Sequence, residues 1–524
     1  MKTSNKPISN WTIDALVEWG VKTIICSPGS RNAPLIMSAV AHPSIEVITI
    51  LDERSAAFMA LGMIQQQHSP VAVCCTSGSA LANYHPAVLE AFHSRLPLVI
   101  VSADRPANRI YKGEGQTCYQ KEFYHPHIGK SVHLDETMSR DRMGQLIEEV
   151  SHSINNHFPV HLNISFEEPL YDTTEFRSVE KWGLSMKAEV PKIDVSEVRC
   201  HLEKSRSTVI LIGQLTPPQS KIVRAILSEK DWVYPVFADP TSGLLDHTWA
   251  RPMNAVLELQ PDTVISLGGQ WIDKKPKFHL RSLKLQTHLH IDPYHAWEVT
   301  DAISFIHVKT EVDFILQLIK FIEQKIPKVV HAPLYRVPEV WSDALAAYVL
   351  FQHVQSSDIL HLSNSTAVRY FGFFPKQTNV LSNRGVAGID GSLSTAIGAA
   401  IASPYQKHWC LIGDQSFIYD SNALNIPSLP DNLTIVVLNN GVGAIFDWLP
   451  GAREADPQAR AVFSNPMKVN LEAFATAYHA NFTRAGSGDE LRQILMSVKG
   501  CTLVDANTME SPNTDVALRL LASR

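Results

Sequence analysis

Short apolar runs that break off into small-residue or charged loops, each followed by a helical pattern, recur along most of this chain. VKTIIC (21–26) ends in SPGSRNAPL. EVITIL (46–51) ends in Asp52, Glu53 and Arg54 before SAAFMALGMIQQQ. PVAVCC (70–75) ends in TSGS before ALANYHPAVLEAFHS, and LPLVIVSADRP follows. Runs this short and this apolar read as strands buried on both faces, and their alternation with helices calls for parallel sheets covered by helices. Asn10 is placed to cap a first helix beginning near Trp11, with Gly20 closing it. A polar stretch over 171–193 and a second, KIPKVVHAPLYRVPEV, over 325–340 read as linkers. Between them lie four strand-like runs, STVILIGQL, WVYPVFAD, TVISLGG and THLHID. The last segment repeats the plan of strand, small-residue loop and helix without a visible sequence repeat. The expectation is an α/β protein of three similar domains, each a mainly parallel sheet flanked by helices, spanning 1–180, 190–330 and 340–524.

The chain's 524 residues exceed what one core organises, in line with several domains. Hydrophobic residues at 45% and charged residues at 19% are the proportions of a globular protein, and a net charge of −6 offers no basic footprint for nucleic acid. The longest apolar runs are too short to span a bilayer, and MKTSNKPISN lacks the apolar core of a signal peptide, so a cytoplasmic location without stable membrane insertion is expected. Seven cysteines without a Cys-x-x-Cys pair point to reduced thiols. The His-x-His pairs at 125/127 and 288/290 lack further ligands nearby, and His288 and His290 fall on one face of a strand by the period of two. No GxxxxGK[ST], no strand-borne GxGxxG and no GxSxG occurs, which removes the common nucleotide loops and the nucleophile elbow.

The chemistry collects at strand ends. One apolar run ends at Gly413 and Asp414, and another, 26 residues later, at Asn439 and Asn440. Together they bring an acidic and an amide oxygen to one sheet edge, a donor set that suits Mg²⁺ or Ca²⁺ on a diphosphate and equally describes turn punctuation. Glu53 sits at a strand-to-helix junction beside Asp52, where a carboxylate is also favoured by capping and the helix dipole. Arg31, Arg105, Arg369 and Arg384 each lie at or near a strand end in a small-residue loop. Guanidinium forks match carboxylates bidentately, so the four together point to substrates bearing several carboxylates.

Taken in order, SPGSRNAPL, DERSAAFMALG, CTSGSALANYHPAVLEAF, SADRP, GEGQT, SNRGVAGIDGSLSTAIGAA and the pair Gly-Asp and Asn-Asn followed by Ile-Phe resemble the 2-succinyl-5-enolpyruvyl-6-hydroxy-3-cyclohexene-1-carboxylate synthase family of thiamine diphosphate enzymes, which serve menaquinone or phylloquinone biosynthesis. The resemblance runs from about residue 10 to residue 480 and is thin in the middle segment. It implies pyrimidine-binding, central and diphosphate-binding domains in that order, with the cofactor between the first domain of one subunit and the third of its partner, in a homodimer or a dimer of dimers. It implies a transferase that decarboxylates 2-oxoglutarate on thiamine diphosphate, adds the succinyl carbanion equivalent to isochorismate and releases CO₂. By motif, Glu53 faces the aminopyrimidine ring as the activating carboxylate, while Asp414, Asn440 and the carbonyl of Val442 hold Mg²⁺, for which Mn²⁺ substitutes. Ser30, Arg31, Arg105 and Gln116 resemble the isochorismate-binding set, joined by Lys274 or Lys275. Ser365, Arg369 and Arg384 resemble the groups around the reacting centre and the distal carboxylate. Asp390, Gly391, Ser392, Gln415 and Ser416 fall at cofactor-contacting positions, and Ile445 and Phe446 resemble the apolar cover that keeps water from a carbanion. Another thiamine-dependent 2-oxoacid decarboxylase or carboligase, such as an acetolactate-forming enzyme, is the alternative.

The chain departs from the family pattern in three places. Thr117, Cys118, Tyr119 and Gln120 follow GEGQ where relatives carry an Ile-Arg or similar pair. Gln415 follows Asp414 where Leu or Ile is common. QWIDKKPKF replaces the more usual central-domain loop sequence.

Overall fold

The computed structural model describes residues 2–176, 181–184, 202–229, 234–292, 299–307 and 336–522. Three six-stranded sheets carry the architecture. The first runs, edge to edge, Glu46–Thr49, Thr23–Cys26, Val71–Cys75, Leu98–Asp104, Val160–Ser165, Lys130–Asp135, and its strands pair in parallel. Numbered along the chain, that order is 2-1-3-4-6-5. The third sheet runs Asn379–Leu381, Ile359–Leu362, His408–Gly413, Leu433–Asn439, Thr502–Asn507, Asn481–Ala485, again 2-1-3-4-6-5. The central sheet runs Ala250–Pro252, Val236–Ala238, Thr208–Ile212, Thr263–Leu267, Thr287–Asp292, Ile303–His307, which is 3-2-1-4-5-6, the order of dinucleotide-binding sheets. The fold is therefore α/β with mainly parallel sheets flanked by helices.

The central strands show why continuous apolar runs read correctly as buried on both faces. Val209, Leu211 and Val264 enter one core with Phe237, Trp271 and Leu280, whereas Ile210, Ile212 and Ile265 enter another with Leu289 and Ile291. His288 and His290 do share a face: both rings bond to Ser266 Oγ on the neighbouring strand, at 2.7 and 2.8 Å. At the switch point, where a dinucleotide fold opens its crevice, the two strand-end loops bond to each other, Gly269 N donating to Gln214 O at 2.8 Å. A Cβ on Gly213 would stand 1.9 Å from Gly269 O.

Several local expectations need correction. The first helix is Pro7–Glu18, starting ahead of Asn10, because Pro7 supplies the fixed φ that opens a helix. Asn10 lies inside it, its Nδ2 donating to Ser4 O at 2.9 Å, while Gly20 takes the left-handed conformation just past its end (φ +86). The 171–193 linker is partly structured, since Thr173–Glu175 pairs antiparallel with Lys2–Ser4. Further on, Trp182 and Leu184 pack on the first core, with Glu18 accepting their N–H groups at 2.6 and 2.7 Å. Of the second linker, 336–340 has neither helix nor strand, and 325–335 lies outside the described residues. Four central runs become six strands: Ala250–Pro252 has three residues and a proline, too short for its pattern to register, and Ile303–His307 adds a sixth strand at the other edge.

By contact density the chain divides into two compact units, one of Met1–Ala188, Gly385–Tyr405 and Tyr419–Leu433, the other of Glu189–Arg384, Gln406–Ile418 and Thr434–Arg524.

Candidate active site

In the second unit the strand His408–Gly413 delivers Asp414 as the first residue of the helix Asp414–Tyr419, and Leu433–Asn439 delivers Asn440. The two ends meet. Gly441 N donates to Asp414 Oδ2 at 2.6 Å and Gln415 N to Oδ1 at 2.7 Å. Asn440 Oδ1 accepts from Val442 N at 2.9 Å, and Val442 O accepts from Ala444 N at 2.9 Å. Each of these oxygens keeps a second lone pair for a cation. The Asn-Asn pair divides its work: Asn439 Nδ2 reaches sideways to Asp505 at 3.0 Å, whereas Asn440 Nδ2 donates to Asp343 Oδ2 at 2.6 Å.

Asp343 is a site residue that sequence reading missed. It is fully buried, and Thr508 Oγ1 donates to its other oxygen. Burial pushes its carboxyl up to about 6, against the bonds from Thr508 and Asn440. Asp414 is also pushed up to about 6, first by burial and further by the negative charge of Asp343, with the bonds from Gly441 and Gln415 opposing. Among the described residues neither carboxylate is ion-paired with a lysine or arginine. The buried Asp414 carboxylate, the Asn440 amide oxygen and the Val442 carbonyl, with no lysine or arginine paired to the carboxylate among the described residues, make a donor set that fits a hard divalent ion. Only the DAL turn opening the helix Asp343–His353, capped by Ser342, marked Asp343 in the sequence, and that pattern is ordinary helix punctuation.

Gln415 ties this centre to the segment after it. Its Nε2 donates to Ser464 O at 2.9 Å and Asn465 O at 3.1 Å, while Gly443 N donates to Ser464 O at 2.6 Å. Ser416 is buried in the same short helix. Ile445 packs against the third-sheet core, and Phe446 stacks on Phe463 with centroids 5.8 Å apart.

Also in the second unit, Ser365 takes a left-handed backbone (φ +70) at the start of the helix Thr366–Phe373, and Arg369 Nη1 donates to Ser365 O at 2.5 Å. Arg384 is buried, donating through Nη1 to Asn364 Oδ1 at 2.6 Å, and Asn364 Nδ2 donates to Asn383 O at 2.7 Å. Ser365, Arg369 and Arg384 are thus brought together around Asn364. Lys274 and Lys275 are exposed. The half-buried lysine of this stretch is Lys277, in the helix Lys275–Ser282, whose pKa is lowered by burial and then by Arg384, with Asp239 opposing. It was hidden from sequence reading by the two lysines preceding it.

In the first unit, Asp52 caps the helix Glu53–Gln67 by accepting from Arg54 N and Ser55 N, which leaves Glu53 in the first turn, bonded by Asn83 Nδ2 at 3.0 Å. That helix packs on Ser392–Ala402 through glycines: a Cβ on Gly62 would lie 1.9 Å from Thr395 O, and one on Gly398 2.0 Å from Met59 O. Gly391, with φ +71, opens the partner helix directly after Asp390 and against the Phe58 ring. Among the described residues, Ser392 Oγ is buried without a hydrogen-bond partner. Arg31 and Arg105 are gathered by one segment. Phe166 O accepts from Arg31 Nη1 at 3.0 Å, Glu168 pairs with Arg31 Nη2 at 3.1 Å, and Ser165 Oγ donates to Arg105 O at 3.1 Å. Arg105 also reaches Ser77 Oγ at 3.2 Å and Glu114 at 3.1 Å. Gln116 packs its backbone against Gly78, and Ser30 and Gln116 are both exposed. Gln120, one of the departures, is buried and supports this loop: Gly78 N donates to its Oε1 at 2.8 Å, and its Nε2 donates to Asn163 Oδ1 at 2.8 Å. Tyr119 is 71% exposed and packs tilted against Tyr111, ring centroids 4.4 Å apart.

Comparison with known proteins matches residues 7–123 to the N-terminal and 363–506 to the C-terminal thiamine pyrophosphate-binding domain of thiamine pyrophosphate enzymes. The 2-succinyl-5-enolpyruvyl-6-hydroxy-3-cyclohexene-1-carboxylate synthase of Flavobacterium johnsoniae is 35% identical over 504 residues, 91% of this chain and 90% of that one. The chain belongs to this synthase family. The synthase of Desulfotalea psychrophila, a further member, is 34% identical over 88% of this chain and 90% of its own. Benzoylformate decarboxylase from Polynucleobacter necessarius shares the fold, with a TM-score of 0.76 at 16% identity over 95% of this chain and 98% of that one. Membership of the synthase family makes the chain a thiamine diphosphate enzyme, and its residues suit that cofactor. Among the described residues a Cβ at Gly413 would meet nothing within 4 Å, so the backbone beside Asp414 has room for a diphosphate.

Proposed function

We propose that this chain forms 2-succinyl-5-enolpyruvyl-6-hydroxy-3-cyclohexene-1-carboxylate and CO₂ from 2-oxoglutarate and isochorismate, as a transferase of menaquinone or phylloquinone biosynthesis. The observation that carries this reading is the pairing of an all-oxygen, cation-deficient centre at Asp414 and Asn440 with two separate arginine pairs. The product named for the relatives is a succinyl group joined to a hydroxycyclohexene bearing a carboxylate and an enolpyruvyl group, so both precursors are polyanions. An acetolactate-forming enzyme handles small monocarboxylates and has no use for Arg31, Arg105, Arg369 and Arg384 together.

When bound, thiamine diphosphate supplies the carbanion chemistry that removes CO₂ from a 2-oxoacid. Asp414, Asn440 and the Val442 carbonyl would hold Mg²⁺, or Mn²⁺ in its place, against the diphosphate. Asp390, Gly391, Ser392, Gln415 and Ser416 would line it. Glu53, in the first turn of its helix, would face the aminopyrimidine ring as the activating carboxylate. Arg31 and Arg105, with Ser30 and Gln116, bind the carboxylates of isochorismate. Arg369 and Arg384, with Ser365, orient 2-oxoglutarate, and Lys274 or Lys275 joins the isochorismate-binding set from the central domain. Ile445 and Phe446 keep water from the reacting carbon. In this reading 1–180 binds the pyrimidine, 190–330 is the central domain and 340–524 binds the diphosphate. The working form is a cytoplasmic homodimer or dimer of dimers.

The test supplies both substrates, thiamine diphosphate and Mg²⁺ and follows loss of isochorismate absorbance. Isochorismate consumed only when 2-oxoglutarate is present is the expected result. Unchanged isochorismate with folded, cofactor-saturated protein sinks the reading, and pyruvate outperforming 2-oxoglutarate turns it toward the other carboligases.

A further inference from the structure

We infer that Asp343 is a positioning residue that fixes which end of the Asn440 amide faces the metal ion. The inference rests on the reading of Asp414 and Asn440 as metal ligands. An asparagine amide has two nearly isosteric ends, an oxygen that can ligate a cation and an NH₂ that cannot, so a ligand asparagine needs something to hold the amide the right way round. Here both ends are specified. An ionised carboxylate accepts hydrogen bonds and donates none, so the 2.6 Å contact with Asp343 Oδ2 is made by Asn440 Nδ2. The other end is set by a donor, Val442 N, at 2.9 Å from Oδ1.

Asp343 is itself held on three sides. Its other carboxylate oxygen accepts from Thr508 Oγ1, and its backbone N–H donates to Asn513 Oδ1 at 2.8 Å. Asn513 Nδ2 in turn donates to Thr508 O at 2.8 Å, and Thr508 N donates to Asn439 O at 3.0 Å. The ring of bonds closes on the residue next to Asn440. Asp343 and Thr508 are both fully buried, so water does not replace either contact. Outer partners of this kind commonly carry about 10- to 100-fold of metal affinity by orienting the ligand.

The experiment titrates the full chain, saturated with thiamine diphosphate, with Mn²⁺ and reads the free ion by electron paramagnetic resonance. Asp343→Asn is the decisive variant, because its NH₂ can turn toward Asn440 and invite the amide to flip. Expected is Mn²⁺ binding about 10- to 100-fold weaker, with the metal-free melting temperature close to the parent's. Thr508→Val, which removes one donor to the carboxylate, should weaken Mn²⁺ several-fold, and Thr508→Ser should restore the parent value. If the parent shows no saturable Mn²⁺ binding, the metal reading falls and takes this inference with it. If the parent binds and folded Asp343→Asn binds within about twofold of it, the metal reading stands and the positioning role is overturned. Should Asp343→Asn fail to fold, the Thr508 pair decides: weaker binding by Val alone upholds the role, and equal binding by Val and Ser overturns it.

Discussion

The first and third sheets share one strand order, 2-1-3-4-6-5, and set opposite chemistry at the same strand ends. The fourth strand of the first sheet ends at Asp104 and Arg105, and that of the third at Asn439 and Asn440. In both, the terminal residue bonds to the neighbouring sixth strand, with the acid and the amide exchanged: Asn163 Nδ2 donates to Asp104 Oδ2 at 2.8 Å, and Asn439 Nδ2 donates to Asp505 Oδ1 at 3.0 Å. The next residue is a cation, Arg105, in one sheet and a neutral amide, Asn440, in the other. A shared scaffold thus supplies position, and single residues at the strand ends supply function.

The largest test of this division separates activation from metal holding. Glu53→Gln should lower turnover about a thousandfold, the order of a lost acid/base group, while Mn²⁺ binding stays at the parent level. Asp414→Ala should lose both. Equal loss of metal by the two variants, measured by free Mn²⁺, would erase the distinction between the sheets.

The arginine pairs come next. Arg31→Ala should raise the isochorismate KM about 50-fold with release of CO₂ from 2-oxoglutarate in a single turnover little changed, and Arg384→Ala should impair that release itself, since a charged hydrogen bond is worth about 1.5–3 kcal/mol. If both variants affect the same half-reaction, the assignment of one substrate to each sheet is wrong.

How much of this was legible in sequence depends on where a residue's partners lie. Strand-end motifs announce themselves because a strand, a loop and a helix are contiguous, so Glu53, Asp414, Asn440 and the four arginines stand out in the sequence as candidates. Asp343, Gln120 and Lys277 could not, because their roles come from partners far along the chain: Asp343 is 97 residues from Asn440, and Gln120 is 43 from Asn163. The common order of the outer sheets was equally hidden, since topology repeats without repeating residues. The middle segment was read least well because its edge strands are short and its pattern weak.

A smaller effect concerns the histidines buried in the sheets. His161 lies on the first sheet's sixth strand, bonded to Ser102 Oγ at 2.7 Å, and burial lowers its pKa to about 3. The unfolded chain binds a proton near pH 6.5 that the folded one refuses until about pH 3, so this residue's contribution is intact above pH 6.5 and is lost as pH falls below it. At pH 5 the penalty is about 2 kcal/mol. The variant His161→Gln should show a melting temperature that falls less between pH 7 and pH 5 than the parent's. A parallel fall in both would show that His161 is not the group refusing the proton, leaving other buried histidines such as His408, lowered to about 4 in the third sheet, to account for it.

The smallest net effect asks whether the exchanged acid and amide are equivalent in kind. Asn439→Asp alone sets a second carboxylate against Asp505 inside the sheet, a buried like-charge contact that should cost about 2 kcal/mol or more. Asn439→Asp combined with Asp505→Asn rebuilds the arrangement already present at Asp104 and Asn163, and the melting temperature should recover to within about 1 kcal/mol of the parent. The remaining loss comes from Arg484, whose Nε now pairs with Asp505 at 2.8 Å and which, being half exposed, contributes little. Recovery would show that the two strand ends differ only in polarity, so that Asn440 beside Asn439, in place of Arg105 beside Asp104, is what turns one edge toward a metal. A double variant no better than the single would instead mean that the third sheet requires its acid on the sixth strand, and that the outer sheets match in topology without matching in design.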